Sequence, residues 1–449
     1  MSKKVVSLLF VGIFLFLCLV PSVGLLLTGG AEAGANEVLS SKPSLTRRDG
    51  SFNPDVLADL GAYVDDRFSL RQQCVTAWAG LNAALFRVSV TDSVVLGSGG
   101  WLYYEPTLAD YTRAAPMTDR ELWCAGRTLY LLQEYAESRG AEFLFTVAPN
   151  KNSLYDEHMP ARTRLPGLSN AEALEAVLEE MGVNYVNLFD AFRGTEETLY
   201  FRTDSHWNGK GAALAADTIL AALGRESRFY DGTYKPHRHR GDLYEMLYPA
   251  GRRTEEDYFY APMFTFTASS TNADSITLTT ECPVGTGALL CYRDSFGRNL
   301  YPYLAESFGS AVFSRKNDYA PGEVAARDVM AVELVARNLR YLNTYVPTFP
   351  APERPAPLVS GAGEYRFEAE ITLAKSALAG YTVLRGDYGG LTPENDSRVF
   401  VSAAGTLYEA TPGPEGFSLC LPEEAAAGPV RVYFTWNREL IALDAVIKP

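Results

Sequence analysis

The sequence predicts an α/β protein: a three-layer domain built on a mostly parallel sheet, followed by a small C-terminal antiparallel β-sandwich. Three observations lead there. Between Glu142 and Phe308, apolar strand-like runs alternate with helical patterns in the manner of βα units. At Pro347 the composition shifts, and Pro347, Pro350, Pro352, Pro355 and Pro357 make a stiff, extended linker. Beyond it, short β-type runs are separated by Gly, Pro and Asn turns.

In chain order, Lys3 and Lys4 precede an apolar run from Val5 to Leu27. At about 1.5 Å per residue this run can cross a hydrocarbon layer of about 30 Å. An uncleaved anchor over residues 1–27 is favoured. A cleaved signal stays open, because Ala31-Glu32-Ala33 has the small residues of a cleavage site. The lysines keep the N-terminus in the cytoplasm, and on either reading the body of the chain lies outside. Residues 28–50 read as a stalk and 51–346 as the main domain.

Within that domain, Phe52 to Val90 favours helices, with a turn at Asp65-Asp66-Arg67-Phe68. Val94–Tyr104 reads as a strand, a glycine turn and an aromatic cluster. Thr118 to Arg139 is an amphipathic helix, with Thr118 and Glu121 spaced as a capping box. Glu142–Ala148, Val183–Leu188, Ile276–Thr280 and Ala288–Tyr292 are strands. Asn170–Met181, Gly211–Leu223 and Asn299–Phe308 are helices. A parallel sheet covered on both faces places its ligands at the C-terminal strand ends. Residues 347–358 are the linker and 359–449 the β-sandwich.

Composition narrows the partners. The 449 residues carry 40 Lys plus Arg against 54 Asp plus Glu, a formal net charge of −14. A chain that acidic repels phosphate backbones, which argues against nucleic acid. Of the 6 cysteines, Cys18 lies in the apolar run. Cys282 and Cys291 flank a Gly-rich turn and pair only if that turn is a hairpin; reduced core thiols are the stronger reading. No CxxC or Cys/His spacing points to zinc, so no metal or cofactor is expected.

Only 4 histidines are present. His206 sits in Thr203-Asp204-Ser205-His206-Trp207-Asn208, ahead of the Ala-rich helix. An Asp and a His two apart in a loop can point the same way. The carboxylate then orients one imidazole nitrogen while the other faces a substrate. Ser295 follows the strand Ala288–Tyr292 in Arg293-Asp294-Ser295-Phe296-Gly297. A small hydroxyl residue at a strand-to-helix turn presents its oxygen at the strand end, with backbone N–H groups nearby to receive an oxyanion. The bland alternatives are a capped loop and a plain helix N-cap. Asn150 and Lys151, after Glu142–Ala148, are further oxyanion candidates. Arg202 and Trp207 flank the base and are candidate sugar contacts, with packing an equal reading for Trp207. His237, His239 and Asp242 have metal-ligand residue types, but among Lys235, Arg238 and Arg240 they read as an exposed basic loop.

These residues also carry a resemblance. The stretches Tyr63–Arg71, Gly99–Tyr104, Pro149-Asn150-Lys151 with Tyr155, Thr203–Asn208, Gly241-Asp242-Leu243 and Arg293–Phe296 resemble the SGNH-hydrolase-like proteins of the AlgX/AlgJ (alginate O-acetyltransferase) type. Among these, the DHHW proteins of Gram-positive bacteria are the nearest in pattern. The resemblance covers about residues 52–345. It implies an SGNH-like, flavodoxin-like fold and acetyl transfer to a secreted polysaccharide. It also implies that the motif's Asp, His and Ser fall on Asp204, His206 and Ser295, and that acyl groups arrive through a membrane-bound O-acyltransferase partner. Arg293 stands where the family's nucleophile motif has Gly, which puts the oxyanion hole in question. Acyl transfer and ester hydrolysis need the same residues. A glycan-binding or assembly subunit, with Tyr381, Tyr388 and Trp436 as contacts, is the remaining alternative.

Overall fold

The computed structural model describes residues 3–28, 39–261, 264–320, 327–345 and 347–448. The candidate cleavage site at 31–33 lies outside the described residues. Helix α1 (Lys3–Thr28) coincides with the apolar run, and its side chains from Val5 to Phe16 are exposed. Among the described residues no helix is long and apolar enough to cross a membrane. Two helices follow, α2 (Val56–Arg67) and α3 (Arg71–Phe86). The first turn therefore falls at Phe68–Leu70, later than the sequence predicts, because Asp65 and Asp66 complete α2. Strands β1 (Val94–Leu96) and β2 (Leu102–Tyr104) form a short hairpin over the glycine turn.

The main domain is organised by a seven-stranded mixed sheet. Its strands are β3 (Glu142–Ala148), β4 (Tyr185–Asn187), β7 (Thr267–Ala268), β8 (Thr277–Glu281), β9 (Ala288–Tyr292), β10 (Ser310–Ser314) and β11 (Val329–Val335). The order is β4-β3-β11-β9-β10-β8-β7. Pairings from β4 through β10 are parallel, while β8 and β7 add an antiparallel edge. Successive residues of a strand face opposite sides, and the core follows that period. Leu144, Leu289 and Ala331 meet α6 (Gly209–Ala222) and α8 (Gly297–Ser307) on one face. Phe143, Phe145, Leu290 and Met330 meet α4 (Asp119–Ser138) and α5 (Asn170–Met181) on the other. Thr118 and Glu121 close the expected capping box on α4, and Ser169 with Glu172 makes a second on α5. Each such cap is worth about 1 kcal/mol.

Cys282 and Cys291 are free thiols, in line with the stronger reading, because β10 lies between β8 and β9 and no hairpin joins them. One expectation is corrected by this topology. The segment read as an exposed basic loop is a strand, β5 (Thr233–His239), paired with β6 (Glu255–Ala261). Between them, α7 (Asp242–Leu247) turns back toward the site.

The C-terminal region is a closed barrel rather than a sandwich. Its strands are β13 (Gly363–Lys375), β14 (Tyr381–Asp387), β15 (Val399–Ala403), β16 (Thr406–Pro412), β17 (Gly416–Pro422), β18 (Val430–Trp436) and β19 (Glu439–Ile447). The order β16-β15-β18-β19-β13-β14-β17 closes because β16 also pairs with β17. A bulge between Glu364 and Glu368 bends β13, whose pairing with β19 is parallel. Residues of the proline-rich stretch are part of this sheet: β12 (Glu353–Arg354) pairs with β16. Buried Arg120 of α4 donates to the carbonyls of Glu394, Asn395 and Ser397 and to the Tyr388 hydroxyl, which ties barrel to sheet domain.

Candidate active site

The loop after Thr198 folds back on itself, with Tyr200 bridged to Trp207 and Asn208 N–H donating to the Leu199 carbonyl at 2.9 Å. Asn208 then caps α6 by accepting from Gly211 N–H at 2.9 Å. The tip of this loop exposes backbone groups that the surroundings satisfy. Buried Lys151 Nζ donates to the carbonyls of Phe201, Arg202 and Asp204 at 3.1, 3.2 and 2.6 Å. Glu255 accepts from the N–H groups of Arg202 and Thr203 at 2.8 and 2.9 Å. Asp242, at the start of α7, accepts from Ser205 N–H at 2.7 Å and from Ser205 Oγ at 2.6 Å. The close approach of α7 depends on Gly241: a Cβ there would meet the Thr203 carbonyl oxygen at 2.2 Å.

Within this clamp Asp204 and His206 face each other. His206 Nδ1 lies 2.7 Å from Asp204 Oδ1, and its Nε2 lies 2.9 Å from Ser295 Oγ. The other Asp204 oxygen, Oδ2, accepts from His239 Nε2 at 2.8 Å and from Asp242 N–H at 3.0 Å. Burial disfavours the Asp204 charge, yet His206 and His239 hold its carboxyl well below the usual carboxylate range. Burial, then repulsion by Asp204, pushes Asp242 above its ordinary value. Burial lowers Lys151 to about 8 against the pull of Asp204, Asp242 and Glu255. Asp204, His206 and Asp242 bring potential ligand atoms within 4.8 Å of one another. Both Asp204 oxygens accept from N–H donors, so hydrogen bonds join these residues.

Ser295 sits where β9 turns into α8. Asp294 braces the turn: its Oδ1 accepts from Phe296 N–H at 2.9 Å, and its Oδ2 from Val335 N–H at 2.8 Å and Asn338 Nδ2 at 2.7 Å. Among the described residues Ser295 N–H has no hydrogen-bond acceptor. Arg293 does not fill the site. Its buried side chain runs to the Ala273 carbonyl at 2.6 Å. The two halves are joined by Trp207 Nε1 donating to the Phe296 carbonyl at 3.1 Å, and by Asn299 Nδ2 donating to the Trp207 carbonyl at 2.9 Å.

The other candidates fall elsewhere. Asn150 is buried, and its amide donates to Asp110 at 3.1 Å. Lys151 is spent on loop carbonyls, so neither of this pair faces Ser295. Trp207 is fully buried against Phe192 and Phe296. Arg202 is exposed and uses its backbone in the clamp. A cleft of about 980 Å³ opens over Ser295, His206 and His239. Arg71, Arg240, Arg298, Arg315 and Arg337 line it together with Asp204, Asp242, Glu245 and Asp274; Arg240 pairs with Glu245, and Arg298 and Arg315 with Asp274. Sequence reasoning weighed His239 only as a metal-ligand residue type in a basic loop and missed its place beside Asp204, because β5 is exposed along most of its length and has no apolar alternation to mark it.

Residues 94–291 match a family described as "SGNH hydrolase-like domain, acetyltransferase AlgX". The chain resembles the AlgX/AlgJ-type family. The matched stretch includes Asp204 and His206 and stops just short of Ser295. A protein named "Probable alginate O-acetylase AlgJ" from Pseudomonas aeruginosa is 25% identical over 201 residues, 41% of this chain and 49% of that relative. A protein of the same name from Pseudomonas fluorescens is 23% identical over 279 residues, 57% and 67% of the two chains. The chain thus spans about half the length of the first of these relatives. A solved DHHW family protein from Eubacterium siraeum is 17% identical, covering 50% of this chain and 90% of its own, with a TM-score of 0.40.

Proposed function

We propose that this chain is a serine-dependent O-acyltransferase that acetylates a cell-surface or secreted polysaccharide. One observation carries the reading: the unbroken line from Ser295 Oγ through His206 to Asp204, at 2.9 and 2.7 Å. Ser295 Oγ attacks the donor's acyl carbon as His206 Nε2 takes the hydroxyl proton. Asp204 holds the imidazole tautomer and stabilises the imidazolium. The tetrahedral oxyanion is received by Ser295 N–H at the positive end of α8. The leaving group departs with the proton from His206, and a sugar hydroxyl then accepts the acyl group by the reverse sequence.

The names of the relatives, as probable alginate O-acetylases, support transfer to polysaccharide. The reading includes a membrane tether through α1, which presents exposed apolar side chains from Val5 to Phe16, with the catalytic body extracytoplasmic. It also includes an acyl supply through a membrane-bound O-acyltransferase partner, a main domain over 51–346, and a barrel at 359–449 that holds or aligns the acceptor.

The test is an acetyl-ester assay with and without glycan acceptors, neutral and anionic. Acetyl found on the sugar, with turnover accelerated by acceptor, supports the transferase. Acetate release that no acceptor changes shows a carbohydrate esterase instead.

A further inference from the structure

We propose that His239 is a positioning residue of this site: its Nε2–H holds the second oxygen of Asp204, so that one carboxylate serves two imidazoles. The proposal rests on the serine mechanism above. His206 takes Oδ1 at 2.7 Å and His239 takes Oδ2 at 2.8 Å. The His239 ring is fixed by stacking on Phe201, with centroids 4.0 Å apart and planes 22° apart. Its place at the end of β5 is fixed by the hairpin with β6, where His239 lies opposite Glu255. It is partly buried and lines the cleft beside Ser295.

The charged groups around it are few. Asp204 and, from β6, Asp257 favour the His239 imidazolium, while Arg298 of α8 and burial oppose it. With burial offset, His239 stands above its ordinary value. On the far side, Asp204 meets His206, the Asp242 N–H and, through its carbonyl, Lys151. The Asp242 carboxylate lies 3.5 Å from His206 Nδ1.

A buried carboxylate beside a single imidazole raises that imidazole's basicity strongly. Here two carboxylates, Asp204 and Asp242, lie beside His206. Both bear on the His206 Nδ1 side, at 2.7 and 3.5 Å. By taking Oδ2, His239 shares the Asp204 charge with His206. It also fixes the Asp204 plane.

Labelled-histidine NMR tests this directly, since only 4 imidazoles need assignment. His206 is titrated in the wild type, His239→Gln and His239→Ala, and the pH profile of kcat/KM on a simple acetyl ester is recorded alongside. In both variants the His206 signals should titrate at higher pH than in the wild type, and the acid limb of the profile should move with them. His239→Gln retains a donor and should keep most of the plateau kcat. His239→Ala should lose on the order of ten- to a hundredfold. Unchanged His206 titration and an unchanged acid limb in folded His239→Gln would overturn the proposal. Ser295→Ala is the control. If it is inactive while the His239 variants behave as wild type, only the role of His239 fails. If it turns over at the wild-type rate, the serine mechanism fails and the His239 proposal falls with it.

Discussion

Lys151 and Ser295 differ in what their removal should cost. Lys151 is buried with three carbonyls around its ammonium. Lys151→Met leaves those acceptors without a donor, each worth about 1–3 kcal/mol when buried. Urea unfolding should therefore show a loss of about 3 kcal/mol, together with reduced ester turnover as the Asp204–His206 loop loosens. The pH dependence has a definite sign. The folded pKa of Lys151 is lowered to about 8, below the unfolded value of about 10.4. Between those values the unfolded chain binds more protons, so the contribution of Lys151 to stability rises with pH. The gap in unfolding free energy between wild type and Lys151→Met should widen from about pH 8 to about pH 10. A gap that narrows there contradicts the burial argument. Asp204, His206 and Ser295 were legible because each residue type sits at a loop or strand end that the apolar pattern marks. The role of Lys151 was not, because nothing local in Pro149-Asn150-Lys151 says that three carbonyls from residues 201–204 surround it.

At the scale of elements, the strand-to-helix turn after β9 and the approach of α7 decide the site. The helix α7 arrives where backbone meets backbone. At Gly241 a methyl group would fall 2.2 Å from the Thr203 carbonyl oxygen, with no flexible side chain to yield. Gly241→Ala should destabilise by about 1–3 kcal/mol and should move Asp242 away from Ser205. Thermal unfolding and the rate on an acetyl ester measure the two effects, and a variant equal to wild type in both removes α7 from the account. The parallel strands were readable as apolar runs with helices between them. β5 was not, since a strand exposed along most of its length has no period-2 burial to advertise it. The β-sandwich expectation failed for a related reason. Short alternating strands with turn residues suit sandwich and barrel equally, and closure depends on the long-range pairing of β16 with β17.

Across the whole molecule, Glu409 on β16 is the joint between regions. Its buried carboxylate accepts from Arg127 of α4, Arg354 of β12 and Arg398, at 2.6, 2.7 and 2.5 Å. Arg354 also reaches Glu134 of α4 at 2.5 Å. Burial works against the Glu409 charge, but Arg398 and Arg127 hold its carboxyl below the ordinary value. A depressed carboxyl contributes stability above its unfolded pKa, about 4.3, and loses it as pH falls through the folded value. Glu409→Gln leaves three guanidinium groups around an uncharged amide. Urea unfolding at pH 7 should show a loss of about 3–5 kcal/mol, which should shrink only as pH falls below about 4. A loss that stays the same as pH falls well below about 4 would mean that the carboxylate charge is not what joins barrel to sheet domain. At this scale α1 predicts that the full chain partitions with membranes. Recovery of the whole chain, α1 included, in the soluble fraction contradicts the tether.

The central claim is that Ser295 carries the acyl group. Rapid acid quench of the wild type with an activated acetyl ester, followed by peptide mass spectrometry, reads that claim without any acceptor. The wild type should show one acetyl group on the peptide containing Ser295. His206→Ala should show it formed far more slowly, and Ser295→Ala should show none while losing about 10⁴–10⁶ in turnover. Its stability should change by no more than about 1 kcal/mol. An acetyl group trapped on another residue, or Ser295→Ala turning over at the wild-type rate, contradicts the account.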